Sequence, residues 1–563
     1  MRAFNLVGTN KQKLDFMYSC GPRGLRGRTL VILSWLWPAC RSPLVHAEAD
    51  FEWVHRVAVS KFPIRRCRIA SDGAGGSFVV GAFSGTLSLG AATLTSSPTA
   101  VGLFLIHLNR TGGVEWATKV ADCSSLPDNN GDGQGIANDG AGGVYIVGTF
   151  KGSFYFGNTS LMSSGGTDAF VLRASNTGAV LWAIRTGGSW DDRGVGVAAG
   201  DNGSALVTGC FRGVNVSFGS TLLTSTGDAD SFVLRLTSTG WMSWATPVYA
   251  SSGRKVCSTA IASDGAGGAL VTGSVGGAIE VGDVFVLRIS SKGAFEWTFL
   301  LGAAMYRYSS GIVSDGSDGA LVTGLFADRA RFGSTQLSSG GSVDAFVVKV
   351  SSTGVRWAIQ AGGRSRTRGI DAAQDGAGGA LIAGCFARGS PGQFGSTTFS
   401  ATSGGDRDVD LFIMRVSQYG TIDWTTWAGG VSDDRAHGIM FDGMGGAVVA
   451  GAIDGDATFG SKRSISDSRS GVHGDLVVAR LDLLALPPPP PPLQPLSLQM
   501  SPASPSSSPA RLWTATAPPH APPFTPNASL NESTNLQNPA AAASLWVGLG
   551  CLAVCALMMS LQW

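Results

Sequence analysis

A tryptophan returns seven times between residues 51 and 482, each time inside a short apolar run: Trp53, Trp116, Trp182, Trp244, Trp297, Trp357 and Trp424. The steps between them are 63, 66, 62, 53, 60 and 67 residues. That is too long for a helical solenoid unit and matches four strands with one enlarged loop. A single undivided core stops growing near roughly 250–300 residues. Repetition is therefore how a chain of 563 residues that is 44% hydrophobic is organised.

Two further signatures recur in fixed order with the tryptophan. An Asp-Gly-Ala-Gly-Gly turn starts at Asp72, Asp139, Asp264 and Asp375, with relatives at Asp315 and Asp442 and a degenerate copy, Gly200-Asp201-Asn202-Gly203. Aspartate bonds the backbone two residues on and glycine takes positive φ freely, so this is hairpin chemistry. The strand after each turn closes on glycine (Gly81, Gly148, Gly209, Gly273, Gly324, Gly384, Gly451), which points to close backbone approach. A third strand opens with aspartate and an aromatic two residues on, as in Asp168-Ala-Phe-Val-Leu-Arg173 and Asp230-Ser-Phe-Val-Leu-Arg235. These aspartates are expected to cap strand starts. Five insertions carry a Phe-Gly hairpin, while the insertion after Gly273 shrinks to ten residues and gives the 53-residue step.

The array opens on a lone Trp strand, Phe51-Glu-Trp-Val-His55, and ends on a third strand, Asp475 to Leu481, with no tryptophan after it. The N-terminal strand should therefore complete the last unit, removing two sheet edges. The fold class predicted over residues 50–482 is all-β: a seven-bladed β-propeller, four strands per blade, closed by the N-terminal strand.

The pattern resembles the SBBP-type seven-bladed propeller repeat family. The Gly-Gly loop after the Trp strand appears as Gly187-Gly188, Gly362-Gly363 and Gly429-Gly430, and the inner strand as Gly135-Ile-Ala-Asn-Asp139, Gly311-Ile-Val-Ser-Asp315 and Gly438-Ile-Met-Phe-Asp442. The loop is missing after Trp116, Trp244 and Trp297. The resemblance implies fold and secretion, and no chemistry.

The ends read as targeting segments. Basic residues Arg23, Arg26 and Arg28 precede the apolar run Leu30–Trp37, and Val45-His46-Ala47 fits a cleavage site, so residues 1–47 read as a signal peptide. Residues 483–538 are a Pro/Ser/Thr-rich stalk expected to be disordered. Residues 539–563 are a hydrophobic C-terminal segment without basic residues after it, either a GPI signal with Asn527 as attachment candidate or a transmembrane span. The expected localisation is the secretory route to the cell surface, attached to the membrane through that segment. Sequons at Asn109, Asn158, Asn202, Asn215, Asn527 and Asn531 fit this route. Net charge is +2 with 14% charged residues, which excludes a nucleic-acid footprint as partner.

Five cysteines lie between the leader and the tail. Cys210 and Cys385 hold equivalent repeat positions and read as small buried residues, leaving one bridge among Cys67, Cys123 and Cys257 with the pair open. The loop Asp128-Asn-Asn130-Gly-Asp132-Gly133, with Asp139 at the twelfth position, matches a Ca²⁺-binding spacing, and a plain polar loop is the alternative. Asp191, Asp192, Asp433, Asp434 and His437 fall in loops entering an inner strand, and are candidates for a binding face. A quinoprotein reading fails on the count of seven and the missing vicinal cysteines. The expected partner is a glycan or surface protein. A coat protein, or a polysaccharide lyase or hydrolase using the loop aspartates, is the alternative.

Overall fold

The computed structural model describes residues 50–59, 64, 66–89, 92–96, 101–125, 133–157, 159–250, 253–276, 282–302, 307–387, 391–399, 409–430, 432–464 and 474–483. All lie within one body, Met1–Pro491. Among them there is no α-helix, only one 3₁₀ turn at Asp201–Gly203, and no helix long and apolar enough to cross a membrane.

The strands form antiparallel units of four. Unit 1 comprises Cys67–Ser71, Ser77–Phe83, Val101–Leu108 and Val114–Ser125, and unit 2 Gly133–Asn138, Val144–Phe156, Thr159–Ala174 and Val180–Thr186. Unit 3 is Arg193–Ala199, Ala205–Phe211, Asp230–Leu236 and Met242–Val248, and unit 4 Val256–Ser263, Ala269–Val275, Asp283–Ile289 and Phe295–Leu301. Unit 5 is Arg307–Ser314, Ala320–Phe326, Asp344–Ser351 and Gly354–Gly363, and unit 6 Thr367–Gln374, Ala380–Ala387, Val409–Val416 and Ile422–Gly430. Unit 7 takes Asp434–Phe441, Gly446–Ile453 and Asp475–Asp482 from the far end of the chain and Phe51–Val59 from its start. The join is antiparallel, with Val54 opposite Ala479 and Val57 opposite Leu476.

Each turn signature becomes a small polar machine. The Asp139 Oδ1 accepts the N–H groups of Ala141 and Gly143, both at 2.8 Å, with Gly140 and Gly142 at φ 74° and 88°. The other oxygen meets the basic residue that ends the third strand, Arg173, at 2.7 Å. Asp264–Arg288, Asp315–Lys349, Asp375–Arg415 and Asp442–Arg480 repeat the pair at 2.9, 3.1, 3.0 and 2.8 Å, and His107 takes the cation's place on Asp72 at 3.0 Å. The third-strand aspartates cap as expected: Asp168, Asp230 and Asp344 each accept an N–H from four residues earlier, at Ser164, Thr226 and Gly340. The closing glycines are needed because a Cβ on Gly209 would sit 1.9 Å from the Arg193 carbonyl and 2.8 Å from the Phe232 ring.

Tryptophan ties one unit to the next. The indole N–H of Trp116, Trp182, Trp244 and Trp357 donates to a backbone carbonyl in the following unit's third turn: Asn176, Ser238, Ser291 and Gln418, at 2.9–3.0 Å. Trp53, in the fourth strand of unit 7, makes the same bond to Arg110 of unit 1 at 3.0 Å. Buried clusters straddle the same boundaries, as where Val313 and Leu321 of unit 5 meet Ile382 and Phe412 of unit 6.

Candidate functional site

The loop aspartates sit at equivalent positions in units 3 and 7 and brace those loops. Asp192 is 1% exposed, and accepts the N–H of Gly188 at 2.6 Å and of Arg212 at 2.9 Å. Asp434, fully buried, accepts Gly430 at 2.7 Å and Asp454 at 3.1 Å. Asp191 takes the Thr167 N–H at 2.9 Å, and Asp433 takes that of Val409 at 3.1 Å while pairing with Arg435 at 2.7 Å. Asp192 and Asp434 hold neighbouring loop backbone instead of facing solvent. Burial lifts the Asp192 carboxyl to about 7, against the two N–H bonds, with Asp168 and Asp191 raising it further.

His437 is also buried, and lies on a bulge. In six of the seven first strands the register slips by one residue, at Gln134, Val195, Thr259, Ser310, Ile370 and His437, and such bulges re-aim a side chain. Unit 1 has no slip, with Cys67 opposite Gly81 and Arg68 opposite Val80. There Arg68 donates to the Gln134 carbonyl at 3.0 Å and to the His437 carbonyl, and Arg66 to Gln134 Oε1 at 3.0 Å. The Cys67 Sγ lies 3.4 Å from His437 Nδ1. This has the spacing of a nucleophile and base without the electrostatics. Burial raises the thiol to about 12; burial, then Arg68, Arg66 and Arg435, lower the imidazole to about 3, so both partners stay neutral. Sequence reasoning missed this cluster. The signal was present: Cys67 to Asp72 is five residues, where Gly133 to Asp139, Ser258 to Asp264 and Ala436 to Asp442 are six.

The cysteine expectation is corrected. Cys210 bonds Cys257, across the boundary between units 3 and 4, while Cys67 and Cys385 are buried free thiols. Position equivalence with Cys385 hid this, because the partner comes from a different repeat position one unit on. Of the Ca²⁺ candidates, Asp128, Asn130 and Asp132 lie outside the described residues, and both oxygens of Asp139 are taken by its turn and Arg173. Among the described residues no group of three or more acidic, histidine or cysteine side chains is placed to hold a metal. Asn202 and Asn215 are exposed and Asn109 is half-buried, while Asn158, Asn527 and Asn531 lie outside the described residues.

Unit 3 breaks the turn rule. Gly200 occupies the place of the buried turn aspartate, its N–H still bonded to the Ser204 carbonyl at 2.8 Å, and the acid moves one residue outward to Asp201, which pairs with Arg235. Beside this turn lies a cavity of about 250 Å³, lined by Asn202, Ser204, Arg235, Ser238, Ser243 and Trp244 among others.

No family model matches this chain, and no curated protein matches it. Among solved structures it is similar to the WD40 domain of Neurospora crassa Pan2, at 8% identity and a TM-score of 0.38 over 75% of this chain and 89% of that one. A protein of unknown function from Dyadobacter fermentans gives 9% and 0.36 over 76% and 99%. A quinohemoprotein alcohol dehydrogenase from Pseudomonas putida gives 11% and 0.35 over 78% of each chain. At these scores the likeness carries no argument about function.

Proposed function

We propose that residues 50–482 form a closed, SBBP-type seven-bladed β-propeller, carried through the secretory route to the cell surface, where it binds a glycan or a surface protein. Closure is supported by the N-terminal strand completing unit 7, by the Trp53 bond into unit 1, and by packing of the unit 1 first strand on those of units 2 and 7. The observation that carries binding is where apolar side chains meet solvent. Of thirteen exposed large hydrophobics among the described residues, ten lie between Tyr155 and Leu300, and only Val114, Tyr419 and Met444 lie elsewhere. Trp241 is 77% exposed, and Trp190 is 57% exposed beside Gly213, with Val214 and Leu222 on the neighbouring hairpin also bare. Exposed apolar side chains on adjoining loops, as Trp190 beside the Gly213 hairpin, mark recognition.

A glycan-array and surface-protein screen with residues 48–482 tests this reading. Saturable binding is expected, weakened at least about tenfold by Trp190→Ala with Leu222→Ala at unchanged melting temperature, as for an interface anchor. Absence of saturable binding to any ligand, or indifference to those substitutions, would overturn it. Release of the full chain from intact cells by a phosphatidylinositol-specific phospholipase decides for the GPI signal, and retention for the span.

A further inference from the structure

The turn that departs from the repeat is also a sequon, Asn202-Gly203-Ser204. In the other units that have the turn aspartate, its carboxylate ties the turn to the cation of the third strand. In unit 3 Gly200 supplies no side chain, Asp201 makes the pair with Arg235 instead, and the cavity of about 250 Å³ lies alongside. Asn202 stands on its rim, exposed, in the left-handed conformation at φ 52°. No hydrogen bond reaches its amide among the described residues. Asn109 is different, since its Oδ1 is engaged by Thr111 and Gly113 at 2.9–3.1 Å.

We propose that Asn202 carries an N-linked glycan whose first N-acetylglucosamine ring packs into this cavity. The inference rests on the secretory reading above. In the modification, Asn202 Nδ2 forms a bond to the anomeric carbon of a lipid-pyrophosphate-linked oligosaccharide. The carbon–oxygen bond to pyrophosphate breaks, the lipid pyrophosphate leaves with the electron pair, and the amide gives up one proton.

The cavity suits one sugar ring. It is smaller than the roughly 300–1,000 Å³ of sites that enclose drug-sized ligands. Its wall offers the apolar body of Trp244, whose N–H is already satisfied by Ser291, for the C–H face of the ring. Ser238 and Ser243 line it too, and their hydroxyls have no side-chain partner among the described residues, which leaves open donors and acceptors for sugar hydroxyl and acetamido groups. The rest of the glycan continues into solvent.

The test uses the full chain made in a secretory cell line that keeps high-mannose glycans. Glycopeptide mapping is expected to find Asn202 occupied. Trimming the folded protein to a single ring with an endoglycosidase should leave the melting temperature unchanged. Stripping the ring with a glycoamidase, which leaves an aspartate at this position, should lower it, by about 1–3 °C for the loss of one polar contact set in a large domain, and Asn202→Asp should match the stripped protein. Asn215→Asp, at an exposed site that shares the left-handed backbone at φ 55° but has no such wall, should change little. Equal melting of trimmed and stripped protein, or glycans on Asn109 or Asn215 but none on Asn202, overturns the cavity assignment while the secretory reading stands. No glycan on any sequon overturns both.

Discussion

Unit 4 is joined to its two neighbours by different polar contacts. Toward unit 3 it has the Cys210–Cys257 disulfide, the Trp244 N–H bonded to Ser291 at 2.9 Å, and Thr246 bonded to the Gly293 carbonyl at 2.7 Å. Toward unit 5 Arg307 donates to the Leu301 carbonyl at 2.7 Å and Thr259 and Ser309 share a hydrogen bond at 3.0 Å, but the Trp297 N–H is buried without a partner among the described residues, and a Cβ on Gly354, the counterpart of Gly293, would meet nothing within 4 Å. Apolar packing persists at this second seam, with Val284 and Val286 against Val322 and Phe346. The loop entering each flanking unit differs too: buried Asp192 in unit 3 has buried Arg307 as its counterpart in unit 5. In an array of near-identical units, nearest-neighbour contacts set the strength of each boundary. Here the polar staples vary while the apolar layer is kept.

Removing the disulfide is the largest expected perturbation. Its cysteines are 47 residues apart, and closing a loop of that size is worth about 4 kcal/mol in the chain-entropy account. Cys210→Ser with Cys257→Ser should lower the denaturant midpoint accordingly. A loss under about 1 kcal/mol would mean that packing alone holds this seam.

The charges entering units 3 and 5 come next. Asp192 holds its proton up to about 7 in the folded chain, above its ordinary 3.8. Its contribution to stability is therefore full below about pH 4 and is lost as pH rises through 7. His437 has the opposite sign: lowered from 6.5 to about 3, it contributes above pH 6.5, and that contribution is lost as pH falls toward 3. Between about pH 4 and 6.5 the two slopes oppose each other. Stability of Asp192→Asn, followed by denaturation against pH, should rise more steeply than the parent's over this window, and that of His437→Gln should fall. Burial lowers the Arg307 guanidinium, with Asp283 offsetting it, but it stays charged here, so Arg307 adds no slope. Parallel curves for parent and Asp192→Asn would remove the titration from this loop.

A smaller effect separates the two tryptophans. Trp244→Phe and Trp297→Phe both shrink a packed ring, but only the first deletes a hydrogen bond. Trp244→Phe should cost about 1 kcal/mol more, the usual net worth of one such bond. Equal costs would show that the indole N–H plays no part at either boundary.

Much of this was legible because it is local. The Asp-Gly turns, the closing glycines and the Phe-Gly hairpins each declare a backbone conformation within four or five residues; Gly219, Gly333 and Gly395, for example, lie at φ 59–60° beside buried phenylalanines. The pairing of Phe51–Val59 with Asp475–Asp482 followed from phase alone. What escaped depended on neighbours far away in sequence. Asp192 and Asp434 sit in loops, where exposure is the ordinary expectation, yet backbone N–H groups from two directions draw them inward. Cys257 finds its partner in the preceding unit. The cavity lay one step from view: the degenerate Gly200-Asp201-Asn202-Gly203 turn was visible, but not that its acid had moved one residue outward.

The unpartnered Trp297 N–H has a cause that the sequence also records. Gly293 precedes Trp297 by four residues, as Gly112 precedes Trp116, Gly178 precedes Trp182, Gly240 precedes Trp244 and Gly420 precedes Trp424, whereas Gly354 precedes Trp357 by only three. The shortened turn pairs Ser351 directly with Gly354, so the carbonyl that would receive the Trp297 N–H, by analogy Ser352, is not presented to it. Inserting one alanine between Gly354 and Val355 restores the spacing of Gly293-Ala294-Phe295. One extra residue in a turn adds little closure entropy, so the recovered bond should show as a gain of about 0.5–1.5 kcal/mol, with the Trp297 indole proton newly protected from exchange. The same insertion after Gly293 should cost a similar amount and expose the Trp244 indole proton. If the first insertion brings neither stability nor protection to Trp297, turn length is not what leaves its N–H unpartnered.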